Sequence, residues 1–423
     1  MKRAKYFPYL LVSTFFAGLA AITPYQFDDY KFREIASHLS NIGDFFHAIA
    51  PRALSYSFSI LFSQSRIAFI VTTFLVIFAI LYFLDKILHL KTWRGRLLLS
   101  LLLIGTNLPL FRETYGWATG FANYVLPAPL LLFSFFTLQN FAKGVKLKTF
   151  QLILSPIIGA VACLSPENHL FIYAAILIYF AIIFIKNHTP RQLPWIILHA
   201  ALLIFPLCAM FLFSESFFSD AGFAYKTSIL GLSFTQLFAN SLHVGWHIIK
   251  YGFLLNISFY LILISAIYLF AIRFPLQNLR KLFFLTFLWL ISVVWMFAIN
   301  QHAGAARTFF IPTLILNIFF IELLQNLPKS RSREILSVST NIILASFAIF
   351  IIYQYILLRL WDINTANSIS TQLQRSSDPI LIREPPTSIV GYLIYPTGDP
   401  AAEQFFRWGH QIPDHTHIKI IPR

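Results

Sequence analysis

The chain has 423 residues, of which 57% are hydrophobic and 12% are charged, and 47 of them are phenylalanine. No ordinary water-soluble domain has this composition, so the sequence indicates an integral membrane protein. The formal net charge is +15, but lysine and arginine stand in short clusters between apolar runs, which is typical of membrane topology and argues against a nucleic-acid partner.

The apolar runs predict an all-α polytopic membrane protein with about 11 transmembrane helices, since roughly 20 apolar residues cross the hydrocarbon of a bilayer. The predicted spans are 7–23, 67–84, 97–111, 124–138, 149–164, 169–185, 195–213, 253–272, 282–299, 309–325 and 336–358. The first follows a basic N-terminus and is interpreted as an uncleaved anchor rather than a secretion signal.

Basic residues predict the orientation, because lysine and arginine in short loops stay in the cytoplasm. With the N-terminus inside, the predicted cytoplasmic segments hold 18 of the 32 lysines and arginines, and the predicted external loops hold 8. We therefore expect a cytoplasmic N-terminus and an external C-terminus.

Two predicted external loops, 24–66 and 214–252, mix aromatic and polar residues in a pattern that favours amphipathic helices at the membrane interface. After the transmembrane domain of residues 1–358, residues 359–423 lose the long apolar runs and gain prolines. This region predicts a small external C-terminal module with short strands, one of them at 388–395.

An aspartate pair, Asp28-Asp29, follows directly on the first predicted span. Carboxylates near hydrocarbon are costly, and adjacent like charges resist ionising together, so the pair favours an active site that uses a cation, a metal or a substrate. A solvated turn is the alternative interpretation.

Most other unusual polar residues also fall in predicted external loops. The segment 112–124 is short, glycine-bearing and aromatic, which suits either a backbone folded into a cavity mouth or an interfacial aromatic anchor. Arg307 suits either a snorkelling charge or a clamp on a phosphate, with Lys226 and Lys250 as weaker candidates. The candidate substrate-binding residues are Arg112, Glu113, Trp117, Asn123, Tyr124, Glu167, Asn168, His169, His302 and Arg307.

The signatures of common soluble enzymes are missing from the sequence. There is no phosphate-binding P-loop, dinucleotide glycine fingerprint, zinc-spaced Cys/His set or nucleophile elbow. The sequence therefore requires no cofactor, although the aspartate pair could hold a divalent metal together with Glu113 or Glu167.

At these residues the chain resembles the GT-C superfamily of membrane glycosyltransferases, which use polyprenyl-phosphate-linked sugars. In that superfamily an acidic residue, often one of a pair, stands just after the first helix, where Asp28-Asp29 stands here. The segments 120–124 and 167–168 further resemble an uncharacterised bacterial family of GT-C-like proteins. The resemblance implies a GT-C-like fold in a bacterial inner membrane, with its active site outside the cytoplasm.

The resemblance also implies a mechanism. Asp28 or Asp29 would remove the proton of an acceptor hydroxyl as that oxygen attacks the anomeric carbon with inversion, while Arg307, with Arg112 or Lys226, would stabilise the leaving polyprenyl phosphate. The acceptor would be a glycan, a lipid or a protein of the cell envelope. The alternative is a transporter or flippase of a lipid-linked sugar, in which the same groups bind without catalysis. A polysaccharide polymerase or ligase and a purely structural membrane protein are further alternatives.

Overall fold

The structure of the protein is a computed structural model. It describes residues 5–40, 42–49, 52–186, 193–213, 234–271, 279–294, 305–327, 331–375, 379–385, 403–404, 406–407, 410–413 and 415–421. Within these ranges the regular structure is helical apart from one pair of short strands, which confirms the predicted all-α class.

The helices are numbered in chain order, and shorter helical turns are named by their residues. They are α1 (Phe7–Ile22), α2 (Phe27–Ser37), α3 (Ile42–Ile49), α4 (Ala53–Gln64), α5 (Arg66–Leu88), α6 (Trp93–Ile104), α7 (Leu108–Thr114), α8 (Ala118–Gly120), α9 (Ala128–Ala142), α10 (Thr149–Ala162), α11 (Glu167–Lys186), α12 (Leu193–Leu202), α13 (Ile204–Phe213), α14 (Phe234–His247), α15 (Ile257–Ala271), α16 (Leu279–Val294), α17 (Phe310–Asn326) and α18 (Arg331–Gln374).

Several helices are able to span a bilayer. In the described part of the chain, five are long and apolar enough, and the number rises to seven if two sharply bent helix pairs each count as one span. Three more apolar helices are shorter; α1, for example, has 16 residues and a length of about 24 Å. Helices overlap all eleven predicted spans. The protein is therefore a helical membrane protein, and the number of eleven crossings stays a prediction.

Hydrogen bonds join the C-terminus of α1 to the first residue of α5, at the end of the bundle where the aspartate pair follows. The guanidinium of Arg66 donates from Nη1 to the carbonyl oxygens of Ala20 at 3.1 Å and Thr23 at 2.6 Å. It also lies over the ring of Tyr25, 4.1 Å from its centroid. A cation at a helix C-terminus satisfies exposed carbonyls and opposes the helix dipole, so Arg66 fixes where α1 ends.

Between α6 and α7 the chain bends by 81°. Asn107 caps α7 by accepting the amide of Leu110 at 2.7 Å, and Pro109 occupies the first turn, where a missing amide proton costs nothing. The following residues form α8, a π-helical turn over 121–125 and then α9, and this irregular backbone is buried in protein. Buried irregular backbone is what a segment folded back into protein requires, and the cavity mouth and the interfacial anchor both stay predictions.

The described part of the predicted external loop 24–66 forms the three helices α2, α3 and α4. Phe32, Ile49, Tyr56 and Ile60 build a small core between them. Helix α4 also packs on the 118–125 segment, with the ring of Phe62 6.3 Å from that of Phe121. The loop therefore forms a helical cover over the irregular segment. Its position on a membrane surface stays a prediction. Of the loop 214–252, residues 214–233 lie outside the described residues.

The helix that leads into the C-terminal module continues without a break past residue 358, the predicted domain boundary. Helix α18 continues to Gln374, and strands β1 (Ile380–Arg383) and β2 (Ile418–Ile421) then pair in parallel. The two strands pack with Ile369 of the helix in a core of their own. The strand predicted at 388–395 lies outside the described residues.

Candidate functional site

Three chain segments that are distant in sequence meet at one end of the bundle, which we call the site end. They are the N-terminus of α2, residues 112–119, and the turn 305–307 before α17. They contribute Asp28, Asp29, Arg112, Glu113, Trp117 and Arg307 from the predicted candidates. These residues come from three predicted external loops, for which the sequence predicted only a shared side of the membrane.

Asp29 is the structural member of the aspartate pair. Its Oδ1 accepts hydrogen bonds from the amide of Thr119 at 2.9 Å and the hydroxyl of Thr119 at 2.7 Å, while its Oδ2 accepts the amide of Gln26 at 3.0 Å. The last contact is half of a capping box at the start of α2. Burial raises the pKa of Asp29 to about 6 even though these hydrogen bonds favour the ionised form. Asp29 therefore ties α2 to the segment 112–119.

Asp28 has a different environment from its neighbour. Its carboxylate makes no hydrogen bond and no ion pair within 4.0 Å to any residue that the structure describes, and the residue is only half-buried. Burial raises its pKa, and the positive charges of Lys31, Arg307 and Arg52 oppose that rise. Asp28 is therefore the carboxylate of the pair that is available to take up a proton.

Glu113 organises two arginines. Its Oε2 accepts the backbone amide of Arg307 at 3.1 Å and lies 3.6 Å from Nη1 of the same residue, and its Oε1 lies 3.5 Å from Nη2 of Arg112. The guanidinium of Arg307 also lies over the ring of Trp117, 5.6 Å from its centroid. These contacts hold a partly exposed guanidinium at the same end of the bundle as Asp28.

Two glycines allow the segment to pack this closely. A Cβ at Gly120 would collide with the carbonyl oxygen of Glu113, and one at Gly116 would collide with the hydroxyl of Tyr355 on α18. The carbonyl of Gly116 also accepts a hydrogen bond from the side-chain amide of Gln26. Glycine is needed at both positions because backbone and side chains of other segments occupy the space of a side chain.

The predicted sugar-stacking residues are enclosed. Trp117 is 3% exposed and Tyr124 is 7% exposed, and Arg307 covers a face of the Trp117 ring. Asn123 donates from Nδ2 to the carbonyl of Thr119 at 2.8 Å, while its buried Oδ1 has no partner among the described residues. In this conformation these residues form the wall behind the charged cluster rather than an open platform for a sugar.

The predicted candidates Glu167, Asn168 and His169 lie at the start of α11, and the charged cluster is built from other segments. The side chain of Glu167 lies outside the described residues. Asn168 and His169 are both buried, and His169 Nδ1 lies 3.1 Å from the carbonyl of Pro166. Neither Oδ1 nor Nδ2 of Asn168 has a hydrogen-bond partner among the described residues. His302 and Lys226 lie outside the described residues.

Sequence reasoning missed the residues that hold the cluster in place. Gln26, Thr119 and Arg66 bind backbone or carboxylate groups across segments. Lys31 lies one turn after Asp28 and acts on its charge. One signal was present in the sequence, since a polar residue followed three positions later by an acid is the spacing of a capping box, and Gln26 and Asp29 have that spacing.

Two acidic side chains of the cluster already have partners. Both oxygens of Asp29 accept hydrogen bonds, and Glu113 faces two arginines. Among the described residues no group of three or more His, Cys, Asp or Glu side chains is arranged to hold an ion. The divalent metal that the sequence left open therefore stays a prediction.

Comparisons with family models, with curated proteins and with solved structures gave no match to this chain.

Proposed function

We propose that the chain is a membrane glycosyltransferase of the GT-C type, which moves a sugar from a polyprenyl-phosphate donor to the hydroxyl of a glycan, lipid or protein acceptor. One observation carries the proposal. Asp28, an aspartate without a hydrogen-bond partner among the described residues, lies in the first turn of α2, the helix that follows α1, and within electrostatic range of an arginine fixed by Glu113. A base and a cation at the end of an apolar bundle suit a substrate whose reactive carbon joins a lipid phosphate.

The chemistry follows from these two groups. The acceptor oxygen forms a bond to the anomeric carbon, and its proton passes to the carboxylate of Asp28. The bond between the anomeric carbon and the phosphate oxygen breaks, and the polyprenyl phosphate leaves with the electron pair. The guanidinium of Arg307 stabilises the charge that develops on that phosphate.

Asp29 is a positioning residue in this scheme. Because three hydrogen bonds occupy its oxygens, it holds the first turn of α2 and with it Asp28 against the segment 112–119. The two members of the pair thus have separate tasks, which the sequence alone left open.

The topology belongs to the same proposal. We place the chain in a bacterial inner membrane with eleven spans, a cytoplasmic N-terminus and the site end outside the cytoplasm. The excess of lysine and arginine in the predicted cytoplasmic loops supports this orientation.

A transporter or flippase of a lipid-linked sugar is the competing function. Transporters place their substrate-binding groups near the bilayer midplane, commonly in paired broken helices. Here the described charged cluster lies after α1, in the last turn of α7 and before the start of α17. This placement favours transfer over transport.

The test is transfer of label by purified protein in detergent, where no second compartment exists. The protein is given radiolabelled polyprenyl-phosphate sugars together with lipid, glycan and protein acceptors. We expect label in one acceptor fraction, and a loss of roughly 10²- to 10⁴-fold in Asp28→Asn, the range that a general base contributes. Asp44→Asn is the matched control, because Asp44 lies in α3, outside the charged cluster, and accepts hydrogen bonds from the amide and the hydroxyl of Ser40.

Full transfer by Asp28→Asn at an unchanged melting temperature would remove the base from the scheme. Absence of transfer from any common donor, together with donor binding, would favour the transporter.

A further inference from the structure

A cavity of about 680 Å³ lies inside the bundle, between α9, α11, α16 and α17. Its size falls within the range of roughly 300–1,000 Å³ that is typical of ligand pockets. No residue of the charged cluster at the site end lines it. The cavity therefore needs an explanation that is separate from the proposed transfer reaction.

The cavity runs along the bundle axis. On α9 it is lined from Ala128, near the site end, to Lys143, just beyond the other end of the helix. Fifteen helical steps correspond to about 22 Å, which is more than one leaflet of a hydrocarbon core about 30 Å thick. The cavity is therefore long enough to take an extended hydrocarbon chain.

Its wall is apolar over most of this length. Phe284 stacks on Tyr179 with ring centroids 3.5 Å apart, and Phe135 lies 6.1 Å from Phe284. Ile315 and Leu131 complete the middle of the wall. An apolar interior of this length favours a lipid chain over a polar solute.

The end opposite the site is basic. Lys143, Arg280 and Lys281 line the cavity there. Lys281 pairs with Glu322, whereas Lys143 and Arg280 form no salt bridge with any residue that the structure describes. At this end of the cavity the three basic side chains therefore carry more positive charge than Glu322 neutralises. Burial and the charge of Lys281 both lower the pKa of Lys143, and an anion bound there would oppose that effect.

We propose that this cavity binds an acidic phospholipid, with an acyl chain along the aromatic wall and the phosphate at Lys143 and Arg280. Basic groups between helices at one membrane face, next to an apolar slot, match the two parts of such a lipid. The proposal is independent of the glycosyltransferase function, because it requires only that the bundle lies in a bilayer.

The test uses the purified full-length chain, washed free of lipid in detergent and then titrated with phosphatidylglycerol or phosphatidylcholine of equal chain length. Native mass spectrometry counts the lipid copies retained. We expect one retained copy and a preference for phosphatidylglycerol of roughly 25-fold, since each basic group near an anionic headgroup contributes roughly five-fold. The double variant Lys143→Gln/Arg280→Gln should lose this preference, and Ile315→Trp should lose retention of both lipids.

Two matched controls separate these effects from general damage. Lys146→Gln removes a nearby charge that lies outside the cavity lining, and Ile178→Trp adds an indole to an exposed position of α11. Both should bind like the wild type. Equal retention of the two lipids by the wild type, or wild-type retention in both test variants, would overturn the proposal. Displacement of phosphatidylglycerol by an equimolar polyprenyl phosphate would assign the cavity to a different lipid and overturn it as well.

Discussion

A buried ion cluster at the site end and an exposed ion pair at the opposite end hold their charges in different ways. At the site end, Glu113 is 5% exposed and its carboxylate contacts two arginines and a backbone amide. At the opposite end, Arg94 and Glu334 also pair, but about 60% of each side chain is exposed. Buried charges depend on every partner they have, whereas water replaces the partners of exposed ones. The cluster around Glu113 is therefore preorganised, whereas the Arg94–Glu334 pair is solvated. The opposite end also holds the buried carboxylates of Asp85 and Glu322, which pair with Arg96 and Lys281.

The largest effect is expected when the buried carboxylate is neutralised. Glu113→Gln leaves the charges of Arg112 and Arg307 without their acid, and we expect a loss of about 1.5–3 kcal/mol in the free energy of unfolding, as for hydrogen bonds between charged groups. Glu334→Gln at the opposite end should change stability by less than about 1 kcal/mol. Thermal unfolding in detergent measures both, and equal losses at the two ends would contradict the comparison.

A similar or smaller loss is expected from packing. Gly120→Ala places a methyl group against the carbonyl oxygen of Glu113 and the ring of Trp117, which we expect to cost about 1–3 kcal/mol. Gly18→Ala in α1 is the control, because a Cβ added there would meet no atom within 4 Å and alanine favours the helix. The melting temperature should fall in the first variant and stay level or rise in the second. An equal fall of the melting temperature in both variants would show that packing around Gly120 is no closer than packing around Gly18.

A pH effect on stability should arise from Asp29. Its pKa is raised from 3.8 to about 6 on folding, so between these values the folded chain holds more protons than the unfolded chain. Its contribution to stability therefore falls as pH rises from about 4 to about 6 and is level above that window. The difference in melting temperature between wild type and Asp29→Asn, followed over pH, should show this slope. A difference independent of pH would mean that the folded-state pKa of Asp29 is not raised.

The smallest effect is expected at Asn168. Because neither polar atom of its buried amide has a hydrogen-bond partner among the described residues, Asn168→Leu should leave stability unchanged or raise it. Asn317→Leu is the matched control, since Asn317 binds Ser258 and the carbonyl of Leu102 and its loss should cost about 1–3 kcal/mol. Similar losses in both variants would show that Asn168 has partners.

The sequence predicted the features that depend on hydropathy and on order along the chain. The helical membrane class and the position of Asp28-Asp29 directly after α1 could both be deduced, because a bilayer imposes long apolar runs and a pair of acids after such a run is conspicuous. For Glu113 and Arg307, which contact each other in the structure, the sequence predicted only a shared side of the membrane.

The division of labour within the aspartate pair was not predictable. It depends on Thr119, which is 90 residues from Asp29 in sequence, and on the bend before α7 that brings the two together. Hydropathy likewise placed the domain boundary at 358, where the apolar run ends, although α18 continues as a polar helix. There the side chains of Arg359 and Asp362 pair at 2.6 Å, and the indole of Trp361 donates to the carbonyl of Arg383.

The most direct measurement is the pH dependence of sugar transfer in the wild type and in Lys31→Gln. The positive charge of Lys31 lowers the pKa of Asp28, so its removal raises that pKa and keeps the carboxylate protonated to higher pH. If Asp28 is the general base, the acidic limb of the rate profile moves to higher pH in Lys31→Gln while the rate on the alkaline plateau is retained. An acidic limb at the same pH in both proteins would contradict the assignment of Asp28 as the base.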